Sequence, residues 1–378
     1  MCGIVGYYSI SENKNIIAKS GKKMLQMLLH RGPDQQNVIN TENFAGGVTR
    51  LAIESLKYGT QPLEDDRFII GFNGEIFNYR ELTEKYFPNL SIDSEIRLLL
   101  ELWKIKKKNF IQLLNGQFAI FIYDKKSNDI FLFRDPFGIR PIFFYKDKDK
   151  FVFGSEIKSI ISVLNKKFEI NENSIMQTSM FWTNLGNQTS VKDIYSLQPG
   201  YSLEKKKNEL NINSYYKNPY FKIKYNKKKE IKENLEEELL NHITKSVKNQ
   251  IHGEVGHACY LSGGIDSSVI AYLLSKEISN LETFSVEFDN EDYDESSSQK
   301  IMSKFLNSKH HSIKIKNGDI AKVFPSVINS TESILFRTAP APMYLLSKLV
   351  NKLGHKVVFS GEGADEILYG YDIFLKIE

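Results

Sequence analysis

Short apolar runs separated by turn-forming residues dominate the first 200 residues of the chain. The runs are rich in Val, Ile, Phe and Tyr and are bounded by Gly, Asp, Pro or Lys, a pattern that predicts β-strands. They cover residues 4–9, 68–72, 118–123, 130–134, 142–145 and 151–154. Residues 18–29 and 93–103 have helical patterns instead, and the second opens with an acidic turn that favours a helix N-terminus. Two packed sheets with helices outside would satisfy this arrangement.

The pattern changes after about residue 230, where predicted strands and helices alternate. Strands are predicted at 258–261, 283–288, 311–315 and 356–360, and helices at 232–250, 267–276, 295–306, 321–330 and 342–353. Such alternation is typical of an open parallel sheet with helices on both faces. The stretch from Gln198 onward begins with a Pro-Gly turn and lacks periodicity, which predicts a closing hairpin and a linker. We therefore expect domains at 2–205 and 231–378, joined by a linker at 206–230.

Composition agrees with two globular domains and argues against a nucleic-acid partner. A chain of 378 residues exceeds one typical core, and an apolar fraction of 41% is ordinary for a globular protein. The net charge of +4 is weak for this length. Lysine clusters at 106–108, 205–207 and 227–229 lack interleaved aromatic or arginine residues, so we interpret them as solvated loops.

Cysteine usage and hydropathy indicate the compartment. Cys2 and Cys259 are the two cysteines, which excludes a disulfide framework and favours a reducing environment; Cys259 is expected to be a buried core thiol. No apolar run reaches the roughly 18 residues that a membrane span needs. The N-terminus also lacks the charged and apolar regions of a signal peptide. We expect a cytoplasmic protein without membrane contact.

The position of Cys2 directly after the initiator Met suggests a nucleophile. Removal of Met1 would leave a thiol and a free α-amine on one residue, and an amine that titrates near pH 8 can act as the base for that thiol. Asn73 and Gly74 offer a side-chain amide and a backbone N–H that can stabilise an oxyanion. For free glutamine, Arg50 can bind the α-carboxylate and Asp93 the α-ammonium.

These residues lie in motifs that resemble those of the class II glutamine amidotransferases. The motifs are MCGIVGY, HRGPD (30–34), RLAI with QPL, FNGEIFNY and RDPFGIRP (134–141). The resemblance implies an αββα sandwich of the N-terminal-nucleophile hydrolase type, with Cys2 as nucleophile and Asn73 and Gly74 as oxyanion hole. It further implies that the 30–34 loop closes over glutamine. The resemblance also implies that glutamine is recognised by Arg50, Leu51, Ala52, Ile53, Glu54, Asn73, Gly74, Glu75 and Asp93. For Arg134, Asp135 and Arg140, a structural turn with salt bridges is the alternative to a functional role.

The second half contains a strand, a glycine turn and a helix start with the sequence SGGIDSS (262–268). Glycines let backbone N–H groups approach a phosphate, and the helix dipole adds positive potential there. The residues concerned are Gly263 and Gly264 for backbone donors, Ser262, Ser267 and Ser268 for hydroxyl donors, and Asp266 for a Mg²⁺ ligand. The sequence lacks the Walker lysine and resembles the pyrophosphate loop of ATP pyrophosphatases, which form acyl-adenylates.

A second acidic motif, SGEGADE (360–366), follows the last predicted strand. Open parallel sheets bind ligands at the carboxyl ends of their strands, so this motif is expected to face the same site. Asp365 and Asp266 together can hold one Mg²⁺ against pyrophosphate. Glu362 lies between two glycines, and it can accept the proton that ammonia loses as it attacks an acyl-adenylate.

SGGIDSS, PMYLLS (342–347) and SGEGADE together resemble the glutamine-hydrolysing asparagine synthetases over nearly the whole chain. The resemblance implies that Tyr260, Val286, Ser360 and Gly361 frame the adenosine of ATP. It also implies an ammonia tunnel and an α/β adenine-nucleotide α-hydrolase-like second domain that converts aspartate through β-aspartyl-AMP. Glutamine, aspartate and ATP are then the substrates, and Mg²⁺ is the cofactor. A homodimer is one assembly state that the sequence leaves open.

Two departures from the family pattern keep other interpretations open. The family reads GGY after the acidic motif, whereas Tyr369 precedes Gly370-Tyr371 here and is expected to crowd the site or shift the helix. Relatives also continue past the position of Glu378, so we expect a fragment that ends within a helix and lacks part of the synthetase domain. The alternatives are an amidotransferase for a peptide or sugar carboxylate, and a glutaminase whose second half only binds nucleotide or a partner.

Overall fold

The computed structural model describes residues 1–207, 209–218, 234–290 and 292–371. The chain divides into two compact units. The first comprises Met1–Lys227 with Glu332–Phe336, and the second comprises Lys228–Thr331 with Arg337–Glu378. The terminal helix and most of the linker expected from the sequence lie outside the described residues.

Twelve described strands build the first unit. They are β1 (Gly3–Ser9), β2 (Gln35–Asn40), β3 (Phe44–Arg50), β4 (Leu63–Glu64), β5 (Phe68–Ile76), β6 (Gly116–Asp124), β7 (Asp129–Arg134), β8 (Phe143–Lys146), β9 (Lys150–Gly154), β10 (Ile194–Ser196), β11 (Tyr201–Lys206) and β12 (Glu209–Ser214). One antiparallel sheet has the order β10-β8-β9-β1-β3-β2, and the other has the order β12-β11-β7-β6-β5-β4. β12 occupies part of the predicted 206–230 linker and pairs with β11, so the closing hairpin predicted there is present.

The described residues of the first unit also form helices. They are α1 (Lys14–Gln26), α2 (Tyr79–Tyr86), α3 (Glu95–Lys106), α4 (Ile157–Ile161) and α5 (Glu172–Phe181), with a 3₁₀ helix at Lys107–Leu113 after α3. α1 and α4 share a core with the first sheet, and α3 shares a core with the second.

Alternation along β6 shows how the layers pack. Ile120 and Ile122 belong to the core that contains Trp103 of α3, whereas Phe121 and Tyr123 point to the opposite face and pack with residues of the other sheet. Successive side chains of a strand point to opposite faces, so β6 is buried on both. The resulting helix–sheet–sheet–helix layering confirms the predicted αββα sandwich.

The second unit contains a four-stranded parallel sheet. Its described elements are α6 (Leu235–Gln250), β13 (His257–Tyr260), α7 (Ile265–Glu277), β14 (Glu282–Phe288), α8 (Ser296–Leu306), β15 (Lys309–Ile315), α9 (Asn317–Thr331), α10 (Pro340–Lys352), β16 (Val357–Phe359) and α11 (Ala364–Leu368). The strand order is β15-β14-β13-β16, with every pair parallel.

Two separate cores lie against this sheet. Val247 of α6 and Leu274 of α7 pack with Cys259 in one core, whereas Leu346 and Val350 of α10 pack in the other. Helices therefore cover both faces, as the alternating pattern predicted. Cys259 is fully buried, which confirms the expected core thiol. Among the described residues, no helix combines the length and apolar character needed to cross a bilayer.

Candidate active sites

A small cavity in the first unit contains the thiol predicted to be a nucleophile. Cys2 immediately precedes β1, and its Sγ donates to the carbonyl oxygen of Leu51 at 3.7 Å. The lining residues are Cys2, Arg50, Leu51, Ile53, Glu54, Ser55, Gly59, Gln61, Phe72, Gly74, Glu75, Ser94, Glu95 and Ile96. Its volume of about 20 Å³ holds about one water molecule, so a larger ligand would fit there only if the walls moved.

Burial raises the pKa of the Cys2 thiol, so the thiol needs a base before it can attack a carbonyl. The nearest terminal amine is that of Met1, and burial lowers the pKa of this amine to about 6. An amine in this environment is largely neutral at pH 7 and can accept a proton. We expect the amine of a processed Cys2 to share this property.

Arg50 is the last residue of β3 and shapes the wall of the cavity. One of its Nη atoms donates to the carbonyl oxygens of Glu54 and Ser55, each at 2.9 Å, and the other lies 3.5 Å from the carbonyl oxygen of Leu56. These bonds fold residues 54–56 around the guanidinium. The guanidinium is thus held at the cavity although its side chain is buried. Ala52, in contrast, does not line the cavity, and its N–H donates to Asp34 at 2.8 Å.

Asn73 and Gly74 lie in β5, next to the thiol-lined cavity. The Asn73 side chain is buried, and among the described residues its Nδ2 has no hydrogen-bond partner. A buried donor without a partner is costly unless a ligand uses it. At Gly74 a Cβ atom would lie 2.0 Å from the carbonyl oxygen of Gln117 in β6, so close strand contact requires glycine here. Asn73 itself is adjacent to the lining residues rather than among them.

The acidic residues near the cavity differ from the sequence expectation. Asp93 is exposed and does not line the cavity, whereas Glu95, at the start of α3, is buried and does. One Glu95 carboxylate oxygen accepts from the N–H of Ile76 at 2.6 Å, and its carboxylate lies within 4.8 Å of that of Glu75. Burial and then Glu75 raise the pKa of Glu95 well above its usual range. Asp93 and Glu95 are both acidic residues near the start of α3, but the sequence does not indicate which of the two side chains lines the cavity.

The predicted 30–34 loop is anchored by Glu156, which sequence analysis did not identify. Arg31 and His30 each donate to the same Glu156 oxygen at 2.9 Å, and Arg31 also donates to the carbonyl oxygen of Cys2 at 2.9 Å. Although burial opposes ionisation, these hydrogen bonds hold the pKa of Glu156 at about 2. The negative charge of Glu156 therefore fixes the loop beside Cys2. More than 120 residues separate Glu156 from the loop, so no local pattern indicates the contact.

The 134–141 motif forms a turn around a buried carboxylate. Asp135 accepts from the backbone N–H groups of Phe137, Ile139 and Arg140 at 2.9–3.0 Å. The Arg134 side chain donates to backbone carbonyl oxygens of the same turn and of residue 197. The contacts of Arg134 and Asp135 are those of a structural turn, and they are hydrogen bonds to the backbone rather than the expected salt bridges.

In the second unit, the SGGIDSS loop joins β13 to α7. The hydroxyl of Ser262 lies 2.9 Å from that of Ser267 and accepts from the N–H of Gly264 at 3.2 Å. Gly263 has a φ of +89°, which favours glycine, and a Cβ there would lie 2.7 Å from the Cβ of Ser298. The chain therefore turns sharply from strand to helix, and α7 begins within the motif, at Ile265. Gly263 and Gly264 shape the loop but do not line the cavity that Ser262 and Ser267 line.

A cavity of about 450 Å³ lies at the carboxyl ends of β13, β14 and β16, within the range of small-molecule sites. It is lined by the predicted residues Tyr260, Ser262, Asp266, Ser267, Val286, Ser360, Gly361, Glu362 and Asp365. The two motifs meet closely, because a Cβ at Gly361 would lie 2.9 Å from the backbone nitrogen of Ser267. Two motifs that lie far apart in the sequence thus form one site. Several further lining residues lie outside the motifs that indicated this site, namely Phe284, Tyr293, Glu295, Gln299 and Tyr371.

Tyr369, which departs from the family pattern, does not line this cavity. It is exposed and follows the last residue of α11, with a φ of +60°. Glycine is common at such left-handed helix ends because it has no Cβ. The backbone conformation, rather than space in the cavity, explains the usual glycine, so the expected crowding by Tyr369 is wrong.

Comparison with known proteins assigns both halves of the chain. Residues 1–216 match the family described as a glutamine amidotransferase domain, and residues 238–378 match the family described as asparagine synthase. Asparagine synthetase [glutamine-hydrolyzing] 1 of Bacillus subtilis is 31% identical over 387 residues, covering 99% of this chain and 59% of the relative. Putative asparagine synthetase [glutamine-hydrolyzing] 2 of Methanocaldococcus jannaschii is 31% identical over 398 residues, covering 98% of this chain and 76% of the relative.

A third relative carries a different name. Amidase chyE of Penicillium rubens is 27% identical over 411 residues, covering 99% of this chain and 60% of the relative. The chain thus spans 59% to 76% of the length of these three relatives. On the matches to both domain families, the chain belongs to the asparagine synthase family of glutamine amidotransferases.

Proposed function

We propose that the protein hydrolyses glutamine at Cys2 and uses the ammonia to convert aspartate to asparagine, with ATP cleaved to AMP and pyrophosphate. The observation that carries the proposal is the pair of cavities: one holds a thiol beside Arg50 and Glu75, and the other joins SGGIDSS to SGEGADE. Each cavity lies within one unit. Each cavity has the charged and hydrogen-bonding groups that one half-reaction needs.

In the first half-reaction, the Cys2 thiolate attacks the side-chain amide carbon of glutamine after its proton passes to the Cys2 α-amine. The unpartnered Nδ2 of Asn73 and the N–H of Gly74 are suited to the oxyanion that forms. Ammonia leaves with a proton returned by the amine, and water then releases glutamate from the thioester. Arg50 is the proposed partner of the α-carboxylate, and the main chain of residues 51–54 completes that wall.

The α-ammonium of glutamine needs an anionic partner, and Asp93 was the residue expected to supply it. Asp93 is exposed and lies outside the cavity, so the cavity-lining carboxylates of Glu75 and Glu95 are better placed for this role. A buried carboxyl such as Glu95 ionises when a cation is brought beside it. Glutamine brings that cation. We therefore assign the ammonium to the Glu75–Glu95 pair.

Replacement of Glu95 by glutamine tests this assignment, since the amide can still accept from the N–H of Ile76. We expect the KM for glutamine to rise about 10- to 30-fold with little change in kcat, because one charge-assisted contact is lost. The KM for glutaramate, which is glutamine without its amino group, should change little. Asp93→Asn provides the matched control. An equal loss for glutamine and glutaramate would limit Glu95 to a structural role.

The second half-reaction is assigned to the larger cavity. The loop of Gly263 and Gly264 is proposed to bind the phosphates of ATP, with Ser262 and Ser267 as hydroxyl donors. Asp266 and Asp365 both line the cavity and offer the oxygen ligands that Mg²⁺ prefers. Mg²⁺ would neutralise the phosphate charge there. Glu362 would then take a proton from ammonia as it attacks the acyl-adenylate.

Aspartate as the acceptor is the part of the proposal that other family members call into question, because Amidase chyE belongs among the relatives. The test is pyrophosphate release by the full-length protein with glutamine, ATP and a panel of carboxylic acids. We expect aspartate to give the fastest release and asparagine to be the product. Release with a peptide or sugar acid but not with aspartate would establish the alternative amidotransferase. Glutamate release unaffected by ATP and every acid would instead indicate a glutaminase.

Two further expectations belong to this proposal. A cytoplasmic location would give the enzyme access to glutamine, aspartate and ATP, and subcellular fractionation tests it. A homodimer is proposed as the assembly state, and sedimentation equilibrium measures it directly. Neither expectation affects the assignment of residues to the two half-reactions.

A further inference from the structure

One buried polar group in the larger cavity has no role in the proposed mechanism. Gln299 lies in α8, is 2% exposed and lines the cavity together with Val286. Its Nε2 donates to the carbonyl oxygen of Val286 at 3.0 Å. Within the described part of the chain, its Oε1 is buried and has no hydrogen-bond partner.

The orientation of the Gln299 amide follows from its neighbour. The opposite assignment would place Oε1 against the carbonyl oxygen of Val286, and two acceptors facing each other repel. Oε1 is therefore the atom left without a partner. Buried acceptors are almost always paired in folded proteins, so this one is suited to a donor supplied by a ligand.

ATP carries few hydrogen-bond donors that can meet such an acceptor. Its phosphates only accept, which leaves the exocyclic amino group of adenine and the ribose hydroxyls. Phe284 and Val286, on β14, provide apolar side chains in the same cavity wall, a surrounding that suits a flat base. Glu362 and Asp365 line the cavity from the loop after β16, where carboxylates suit a cation instead. The base is the better match for Gln299.

We propose that Oε1 of Gln299 accepts a hydrogen bond from the 6-amino group of adenine and makes the site select 6-amino over 6-oxo purines. The inference rests on the proposed use of ATP. A 6-oxo purine would place an oxygen against Oε1, leaving both acceptors unpaired in a buried setting. Sites that hydrogen-bond a specific substrate group reject analogues lacking it far more strongly than apolar pockets do.

The test compares ATP with inosine triphosphate, which has a 6-oxo group. Dissociation constants for both nucleotides with Mg²⁺ are measured by calorimetry on wild type and Gln299→Leu. We expect the wild type to prefer ATP by about 100-fold. In Gln299→Leu, ATP binding should weaken about tenfold and inosine triphosphate binding should hold or improve, so that the preference falls to about tenfold or less. Gln250→Leu, a substitution in α6, should keep the wild-type preference.

Two additional results decide the inference. Gln299→Met removes the same acceptor at nearly the same side-chain volume and should likewise lower the preference for ATP to about tenfold or less, which guards against a leucine variant that fails to fold. An equal loss of affinity for both nucleotides in Gln299→Leu would overturn the inference, and so would a wild type that binds ATP and inosine triphosphate equally well. Binding of ATP without pyrophosphate release would contradict the proposed function and leave the role of Gln299 intact, whereas failure of the wild type to bind either nucleotide would overturn both.

Discussion

Replacement of Cys2 by alanine is expected to abolish glutamine hydrolysis, with a loss of at least about 10⁴-fold in kcat, because the thiolate forms the covalent bond to substrate. Synthesis from added ammonium salts should stay within about twofold of the wild type, since the larger cavity lies in the other unit. Glutamate release and amide formation, measured separately with glutamine or ammonia as donor, check both expectations.

Cys259→Ala is the control for this experiment, because it removes the chain's other thiol from a buried position in the second unit. It should retain glutamine hydrolysis. Intact-mass measurement of the wild type should show that Met1 has been removed. Parallel loss of glutamine- and ammonia-dependent synthesis in Cys2→Ala would contradict two separable sites, and an active wild type that keeps Met1 would contradict the α-amine as base.

Replacement of Glu362 by glutamine should slow amide formation by about 10³-fold, because general-base catalysis contributes about 10²- to 10⁴-fold. Affinity for ATP should remain within about threefold of the wild type, since the phosphate loop and the two proposed Mg²⁺ ligands are unchanged. The measurement is single-turnover formation of the product amide from ammonia, together with calorimetric titration of ATP.

The matched control is Glu366→Gln, because Glu366 lies in the same motif and also lines the cavity. Its carboxylate accepts from the hydroxyl of Tyr371 at 2.5 Å, so its expected role is to hold the end of the motif. We expect less than a tenfold effect on the chemical step. Unchanged amide formation in Glu362→Gln, or an equal loss in both variants, would remove Glu362 from the role of base.

The fold was predictable where side-chain patterns are strong. The apolar runs that became β1, β5, β6, β7 and β9 identified most of the central strands, and the alternation after residue 230 identified the parallel sheet. β3 was missed although it is fully buried, because its sequence FAGGVTR contains two glycines, which weaken a strand prediction. The structure explains one of them: a Cβ at Gly46 would lie 2.7 Å from the ring of Phe44.

Local sequence patterns did not indicate the polar strands or the long-range contacts. β2 has the sequence QQNVIN, and its pairing with β3 rather than an apolar alternation makes it a strand. Glu332 follows α9 in sequence but belongs to the first unit, where its carboxylate accepts from the N–H groups of Ile157 and Lys158. A separation of about 175 residues leaves no trace in local periodicity.

The residues of the candidate sites were likewise predictable only in part from the sequence. Cys2 and Arg50 were identified from the chemistry that their side chains can perform, and they line one cavity. Glu95 was missed in favour of Asp93, because the choice depends on how α3 is rotated against β5, and helix rotation is set by packing. Gln299 belongs to no motif, and what distinguishes it is a buried oxygen that has no hydrogen-bond partner in the part of the chain that the structure describes.

Transfer of nitrogen between the two sites can be measured directly with glutamine carrying ¹⁵N in its side-chain amide. The full-length protein is incubated with this glutamine, aspartate and ATP with Mg²⁺, and the products are analysed by mass spectrometry. We expect asparagine with ¹⁵N in its amide and one pyrophosphate released for each amide formed. Unlabelled product, or cleavage of ATP to ADP and phosphate, would contradict the proposed transfer.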